Sequence, residues 1–348
     1  MKVAVYYNNH DIRIVEREIP AINDDEILMK VMASGICGTD VLEWYRIKKA
    51  PVVLGHEVSG VVEKVGKNVK NFKIGDRIFA THHVPCMECH YCIDGHHTSC
   101  ETLHNTSFEP GGFSEFIRIP KINVRLGTFR LPDNISFDEG TFIEPLGTAV
   151  RAQRLANLKE NHTLLVIGSG ISGLIHVKLA KSRNVKKVIA VDLNESRLDA
   201  AKRFGADFAF NAKEDIISKI KEVNSNRLAD VVIVCTGALA AANNALRCVD
   251  KGGTILFFAV PKPEDKPDIP INDFWKNEIK MMTSYAAAPN DLEESIELIR
   301  EKKIEFSDMV THRLKLEDIQ KGFSLVAEAK DSIKVIVEPH KQSGRLDF

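Results

Sequence analysis

Four cysteines within one short segment constrain the folding of this 348-residue chain more than any other feature. They are Cys86, Cys89, Cys92 and Cys100, and their spacing is C-x2-C-x2-C-x7-C. Four thiolates this close together can form a closed tetrahedral shell around a zinc ion, and a closed shell is typical of structural sites. The segment is therefore predicted to fold around one structural zinc ion.

Six histidines lie between or near these cysteines. Because four cysteines already fill a tetrahedral shell, most of the histidines are expected to be solvated loop residues. They are His82, His83, His90, His96, His97 and His104.

The overall composition is that of an ordinary globular protein and excludes several functional classes. The chain is 44% hydrophobic and 27% charged, and its net charge of -1 gives no general attraction to nucleic acid or to an anionic membrane. No segment approaches the roughly 20 apolar residues of a membrane helix, and the N-terminus has no signal-peptide pattern. The length suits two domains. A cytoplasmic protein is therefore expected, and there the clustered cysteines favour metal binding over disulfides.

The strand and helix patterns divide the chain into two parts. The first ~150 residues alternate apolar and polar positions between Gly and Pro turns, which indicates mostly β-strands. From Leu164 onward, short apolar strands alternate with amphipathic helices, which predicts a parallel, doubly wound sheet. The C-terminal strand SIKVIVE is expected to return to the first part.

A glycine-rich loop follows the strand at Leu164. Its sequence is G-x-G-x-x-G, formed by Gly168, Gly170 and Gly173, with Ser169 and Ile171 between them. Because the loop follows a strand and opens a helix, it predicts a dinucleotide site with the pyrophosphate at the helix N-terminus.

Asp192 ends the next predicted strand, and Arg197 follows it closely. An acid at this position would accept hydrogen bonds from a ribose hydroxyl and repel a 2′-phosphate. The pattern therefore favours NAD over NADP, although the nearby arginine weakens the preference.

Two later predicted strands end in segments expected to flank the nicotinamide, because ligands of open α/β sheets bind at the carboxyl ends of strands. An ordinary strand terminus is the alternative for both. The residues are Cys235, Thr236, Phe258, Ala259 and Val260.

A second set of zinc-type donors lies in the strand-rich part. It consists of Cys37, His56, Glu57 and Glu144. One thiolate, one imidazole and one carboxylate would leave a fourth position open, as a catalytic zinc ion requires. Which glutamate completes the set is left open.

These motifs together resemble those of the zinc-containing medium-chain dehydrogenases/reductases, in the sorbitol (polyol) and threonine dehydrogenase branch. In chain order they are GICGTD, GHE, the four-cysteine segment, GGFSEF, EPLGTAV and GSGISG. The resemblance covers nearly the whole chain.

The resemblance implies a GroES-like catalytic domain at 1–151 and 290–348, with a zinc lobe at about 82–104. It implies a Rossmann NAD-binding domain at 152–289, two zinc ions per chain, and a homodimer or homotetramer. The implied reaction is reversible hydride transfer between a polyol or other secondary alcohol and NAD. The catalytic residues would be Thr39, Glu57 and Glu144, with Thr39 accepting the substrate proton.

Two alternatives are retained: an amino-alcohol dehydrogenase of threonine type, and a non-catalytic NAD-binding sensor. One departure from the family pattern is Leu42, which stands where these relatives usually carry a histidine of the proton relay. The proton path and the identity of the alcohol are therefore left open.

Overall fold

A computed structural model describes residues 1–330 and 332–341. The chain forms two compact units, one containing residues 1–147 and the chain from 286 onward, and the other containing residues 148–285. These limits lie close to the expected ones at 151 and 289. The exact bounds of the catalytic and cofactor domains stay a prediction.

The N-terminal part of the first unit is built mostly from strands, with short helices between them. Strands β1 to β8 are Lys2–Asn8, Asp11–Glu16, Ile27–Gly35, Val52–Val53, Glu57–Val65, Arg77–Ala80, Phe116–Ile119 and Thr128–Arg130. Helices α1 to α5 are Glu43–Arg46, His90–Ile93, Glu101–Asn105, Lys121–Leu126 and Phe137–Gly140. Helix α6, Ile143–Leu155, begins in the first unit and continues into residues of the second.

Strands and helices alternate through the second unit. Strands β9 to β14 are Thr163–Ile167, Lys187–Asp192, Phe208–Asn211, Ala229–Val234, Val249–Phe257 and Lys280–Thr283. Helices α7 to α11 are Ile171–Ser182, Glu195–Arg203, Ile216–Val223, Leu239–Cys248 and Ile271–Lys276.

The C-terminal chain belongs to the first unit. Its helices α12 and α13 are Pro289–Arg300 and Ile319–Glu328, and its strands β15 and β16 are Val310–Lys315 and Lys334–Glu338. Short 3₁₀ turns lie at Ile47–Lys49, His97–Ser99, Ser307–Met309 and Leu316–Asp318.

The main sheet of the first unit has seven strands, in the order β15-β16-β3-β5-β6-β8, with β7 also paired to β3. Strands β1, β2 and β4 form a separate three-stranded sheet. In the β3/β5 pair Gly35 lies opposite Glu57, and in the β16/β3 pair Ile336 lies opposite Gly35. The C-terminal strand is therefore placed one strand away from the GHE segment.

The second unit contains a six-stranded parallel sheet in the order β11-β10-β9-β12-β13-β14. This is the doubly wound order, in which the strand order reverses between β9 and β12. Every residue of β9 is buried, as expected for a central parallel strand covered by helices on both faces. The predicted fold class is confirmed.

No helix among the described residues combines the length and the apolar character that crossing a bilayer requires.

Candidate functional site

The four cysteines of the lobe come together as the sequence predicts. The Sγ–Sγ distances are 3.6 Å for Cys89–Cys92 and for Cys100–Cys86, and 4.0 Å for Cys86–Cys92. A tetrahedron with Zn–S bonds of ~2.3 Å has edges of ~3.8 Å. The four sulfurs are therefore spaced for a zinc ion and too far apart for a disulfide.

Backbone amides prepare these sulfurs for a metal. The N–H groups of Glu88 and Cys89 donate to Cys86 Sγ at 3.5 and 3.3 Å, and Cys86 N–H donates to Cys100 Sγ at 3.4 Å. Burial opposes ionisation of Cys100, but the hydrogen bonds that it accepts from Cys86 N–H and from neighbouring groups outweigh burial and lower its pKa to about 6. A thiolate is the form that binds zinc.

The second ligand set also assembles. One ligand atom each of Cys37, His56 and Glu57 lies within 4.8 Å of the other two. His56 and Glu57 are consecutive at the start of β5, and Cys37 lies just beyond the end of β3, which is the strand paired with β5. The antiparallel pairing therefore brings both segments to the same end of the sheet.

Asp40 is a member of this site that the sequence analysis missed. Its carboxylate is fully buried, lies 3.5 Å from His56 Nδ1, and accepts a hydrogen bond from Cys37 N–H at 3.1 Å. Burial would lower the pKa of His56, but the Asp40 charge and hydrogen bond raise it well above its usual value. A carboxylate on Nδ1 orients the ring and leaves Nε2 available as a metal ligand.

Thr39 lies directly beside the ligand sulfur. Its hydroxyl donates to Cys37 Sγ at 3.3 Å and accepts a hydrogen bond from Arg46 Nη2 at 3.1 Å. Arg46 also contacts Asp40 at 3.3 Å and donates from Nε to the Thr39 carbonyl at 3.0 Å. The guanidinium therefore fixes the whole loop between Cys37 and Asp40.

Glu57 forms a buried ion pair that the sequence did not reveal. Its Oε2 accepts a hydrogen bond from Lys334 Nζ, and both side chains are at most 2% exposed. Gly35 provides the space, because an added Cβ there would lie 2.5 Å from Lys334 Nζ. The sequence carries no local signal for this pair, since its members are 277 positions apart.

Glu144 is buried near this group but is not a member of it. It lies in the first turn of α6, outside the three residues whose ligand atoms cluster. Burial raises the pKa of Glu144 to about 7, although the charges of His56 and Lys334 oppose that rise. The structure thus separates the two glutamates that the sequence left equivalent.

Three of the six histidines correct the expectation that most of them are solvated, because His82, His83 and His97 are only partly exposed. The ring centroids of His82 and His83 are 3.7 Å apart. The His82 ring also lies 4.8 Å from the His56 ring. Burial, followed by the neighbouring histidines, lowers the pKa of His82 well below its usual value. A neutral imidazole therefore lines the metal site, while His90, His96 and His104 are exposed as expected.

The glycine loop has the geometry of a phosphate-binding turn. Gly168 has φ of +95°, and a Cβ at Gly173 would overlap the Gly168 carbonyl. Gly170 caps α7, a helix that begins at Ile171. Ser169 is almost fully buried. The three glycines therefore allow the turn, the close approach of a ligand, and the packing of helix against strand.

Asp192 lies at the end of β10 beside this loop. Its carboxylate accepts hydrogen bonds from the N–H groups of Ser169 at 2.7 Å and Asn194 at 2.9 Å. Arg197 lies 3.9 Å from Asp192. The acid therefore fixes the loop and also places a negative charge at its edge.

The other predicted cofactor residues lie at the same carboxyl edge of the sheet. Cys235 N–H donates to Ile167 O at 2.7 Å, and the N–H groups of Phe258 and Ala259 donate to Val234 O at 3.0 and 2.9 Å. Thr236 lies next to Gly168, and Val260 is 52% exposed. Burial raises the pKa of Cys235, so this thiol is neutral. Their contact with a nicotinamide stays a prediction.

Comparisons with known proteins agree with both halves of this description. Residues 23–130 match the family model of the alcohol dehydrogenase GroES-like domain, and residues 172–301 match that of zinc-binding dehydrogenases. The two matches fall in the first unit and largely in the second unit, respectively.

Two curated relatives align along nearly the full chain. The chain is 32% identical to sorbitol dehydrogenase of Bacillus subtilis, with 98% of each protein covered. It is 30% identical to D-xylulose reductase of Saccharomyces cerevisiae, with 94% of each covered.

Two solved structures share the fold and carry nicotinamide cofactors. An Escherichia coli alcohol dehydrogenase complexed with NADH has a TM-score of 0.88 at 26% identity, with 97% of this chain and 99% of that one covered. A Sinorhizobium meliloti zinc-binding dehydrogenase bound to NADP has a TM-score of 0.86 at 26% identity and the same coverage. The chain therefore belongs to the zinc-containing medium-chain dehydrogenases, in their polyol dehydrogenase branch.

Proposed function

We propose that this chain transfers a hydride reversibly between a secondary hydroxyl of a polyol or sugar alcohol and NAD. The observation that carries the proposal is the clustering of Cys37 with the buried His56 and Glu57, in a chain that also has a dinucleotide loop. Relatives named for sorbitol and D-xylulose support the polyol as substrate class.

Two zinc ions per chain are proposed, one in each ligand group. The lobe cysteines form a closed set, which suits a structural ion, whereas the second group has only three members, which suits a catalytic ion. When bound at the second site, zinc would lower the pKa of a coordinated hydroxyl toward neutrality.

The surrounding residues would orient the ligands and move the proton. Asp40 holds the His56 ring, and Lys334 holds Glu57, which we propose as the carboxylate ligand. Thr39 Oγ1, beside Cys37 Sγ, would accept the proton of the substrate hydroxyl while its own hydroxyl proton passes on toward the cofactor ribose or solvent. Glu144 has a pKa of about 7. We propose that it is a second carboxyl group near the ligands, able to gain or lose a proton near neutral pH.

NAD is proposed rather than NADP because Asp192 stands where a 2′-phosphate would be repelled. A homodimer or homotetramer and a cytoplasmic location are kept as proposals from the family resemblance.

The test is a steady-state assay with NAD and with NADP, on protein of measured zinc content. The substrates would be sorbitol, xylitol, 2,3-butanediol, a simple secondary alcohol and threonine. We expect turnover of polyols with NAD, and none in Cys37→Ser at equal folding. Turnover of threonine alone would establish the amino-alcohol alternative, and retained activity in zinc-loaded Cys37→Ser would remove the catalytic metal from the proposal. Absence of turnover with tight NAD binding would favour a sensor.

A further inference from the structure

His82 belongs to no role assigned so far, although its ring contacts the metal-site histidine. The ring centroids of His56 and His82 are 4.8 Å apart, with their planes tilted by 41°. Because Asp40 occupies Nδ1 of His56, the Nε2 edge of that ring is the one that faces a ligand. A small molecule at this edge would therefore lie beside His82.

The position of His82 is fixed by the surrounding backbone. Asn123 is fully buried, and its Nδ2 donates to the carbonyls of Thr81 at 2.9 Å and His82 at 3.0 Å. On the other side, the neighbouring His83 donates from Nδ1 to the Leu103 carbonyl at 2.8 Å. These hydrogen bonds thus hold the backbone of His82 and the side chain of its neighbour in place.

One ring nitrogen of His82 is available for a further hydrogen bond. Its Nδ1 is buried and has no hydrogen-bond partner among the described residues, whereas His83 Nδ1 has one. Buried polar groups without partners are rare in native proteins and often serve a ligand. The residue as a whole is nevertheless only partly buried.

From these contacts we infer that a ring nitrogen of His82 hydrogen-bonds a second hydroxyl of the substrate, adjacent to the one that is oxidised. A hydroxyl both donates and accepts, so it can pair with either tautomer of the ring. A simple alcohol has no such group and would leave the imidazole unpaired. The residue therefore selects polyols and vicinal diols over monohydric alcohols. This inference rests on the proposed function.

The experiment compares His82→Phe, His82→Asn and His82→Gln with the parent protein, using 2,3-butanediol and 2-butanol as substrates. Phe keeps a planar ring without nitrogen atoms. Asn places an amide near the Nδ1 position, and Gln places one near Nε2. We expect kcat/KM for the diol to fall by about 10- to 100-fold in His82→Phe and to recover in part in one amide variant. The value for 2-butanol should change by less than about 3-fold. Exposed His10→Phe is the matched surface control.

A second readout does not depend on turnover. In protein labelled with ¹⁵N-histidine, the ring signals missing from His82→Phe identify His82. These signals should shift on addition of the diol and not on addition of 2-butanol. Zinc content is measured for every variant.

The possible outcomes are separable. The role of His82 would be overturned if kcat/KM in His82→Phe fell equally for the diol and for 2-butanol. It would also be overturned if the ring signals of His82 did not shift on addition of the diol. Either result would leave the proposed function intact. Loss of zinc in His82→Phe would make the residue a ligand and would also overturn the inference. If the parent protein oxidises neither alcohol nor any other polyol, the proposed function itself fails.

Discussion

Replacing Lys334 by Met should destabilise the first unit strongly, because it leaves the buried Glu57 carboxylate without the ammonium group that it contacts. Both side chains are at most 2% exposed, and the ammonium group also lies 5.0 Å from the Phe142 ring. Removing one partner of a buried pair typically costs about 3–5 kcal/mol, since an uncompensated charge remains inside the protein. A zinc ion held by Glu57 would reduce the loss toward the lower value.

The loss can be measured by urea unfolding of zinc-loaded protein. The two tryptophans lie in different units, so Trp275→Phe leaves Trp44 as the reporter of the first unit. With a denaturant slope of about 3 kcal/mol per molar, the expected decrease of the midpoint is ~1–1.7 M. A fall of 3–5 kcal/mol in the free energy of unfolding corresponds to that range.

Two further variants separate loss of charge from loss of packing. Lys334→Arg keeps the positive charge and should retain most of the stability. The double variant Glu57→Gln/Lys334→Met has no buried charge left unpaired. When it is compared with Lys334→Met after zinc has been removed from both, it should recover much of the midpoint. A Lys334→Met midpoint within ~0.3 M of the parent, at equal zinc content, would refute the reasoning. So would a double variant no more stable than the single one.

Three other predictions address the lobe, the cofactor and the second unit. Cys100→Ser should release one zinc ion per chain and lower the unfolding midpoint, because metal binding contributes to folding of the lobe; a variant of parental stability and zinc content would contradict this. Asp192→Ser should raise kcat/KM with NADP relative to NAD by about 10-fold or more, as the charge opposing a 2′-phosphate is removed; an unchanged ratio of the two values would count against it. Burial lowers the pKa of His176 to about 3, below the ~6.5 of an unfolded histidine, so its contribution to stability is complete above pH 6.5 and is lost as the pH falls toward 3. That loss should reach about 2 kcal/mol between pH 8 and pH 5 in the parent and be absent in His176→Leu, and parallel unfolding curves for the two proteins would exclude it.

The sequence by itself determined the zinc lobe, the glycine loop and the type of sheet in the second unit, because each depends on residues close together in the chain. The lobe cysteines are close along the chain, so their spacing alone limits the metals and geometries they can form. The glycine loop is likewise specified by three small residues between a strand and a helix. Alternating strands and helices then restrict the second unit to a doubly wound sheet with right-handed crossovers.

Tertiary structure decided which residues support the catalytic group, because their partners are distant in sequence. The pairing of β16 with β3 brings Lys334 to Glu57, and the folding of the lobe brings His82 against His56. Asp40 could have been suspected from its place after Thr39, but only its burial against His56 shows its function. Patterns along the chain report local geometry, whereas the charge balance of a buried site depends on long-range packing. The ligands could therefore be recognised from local motifs, but only the tertiary structure decided how they are held.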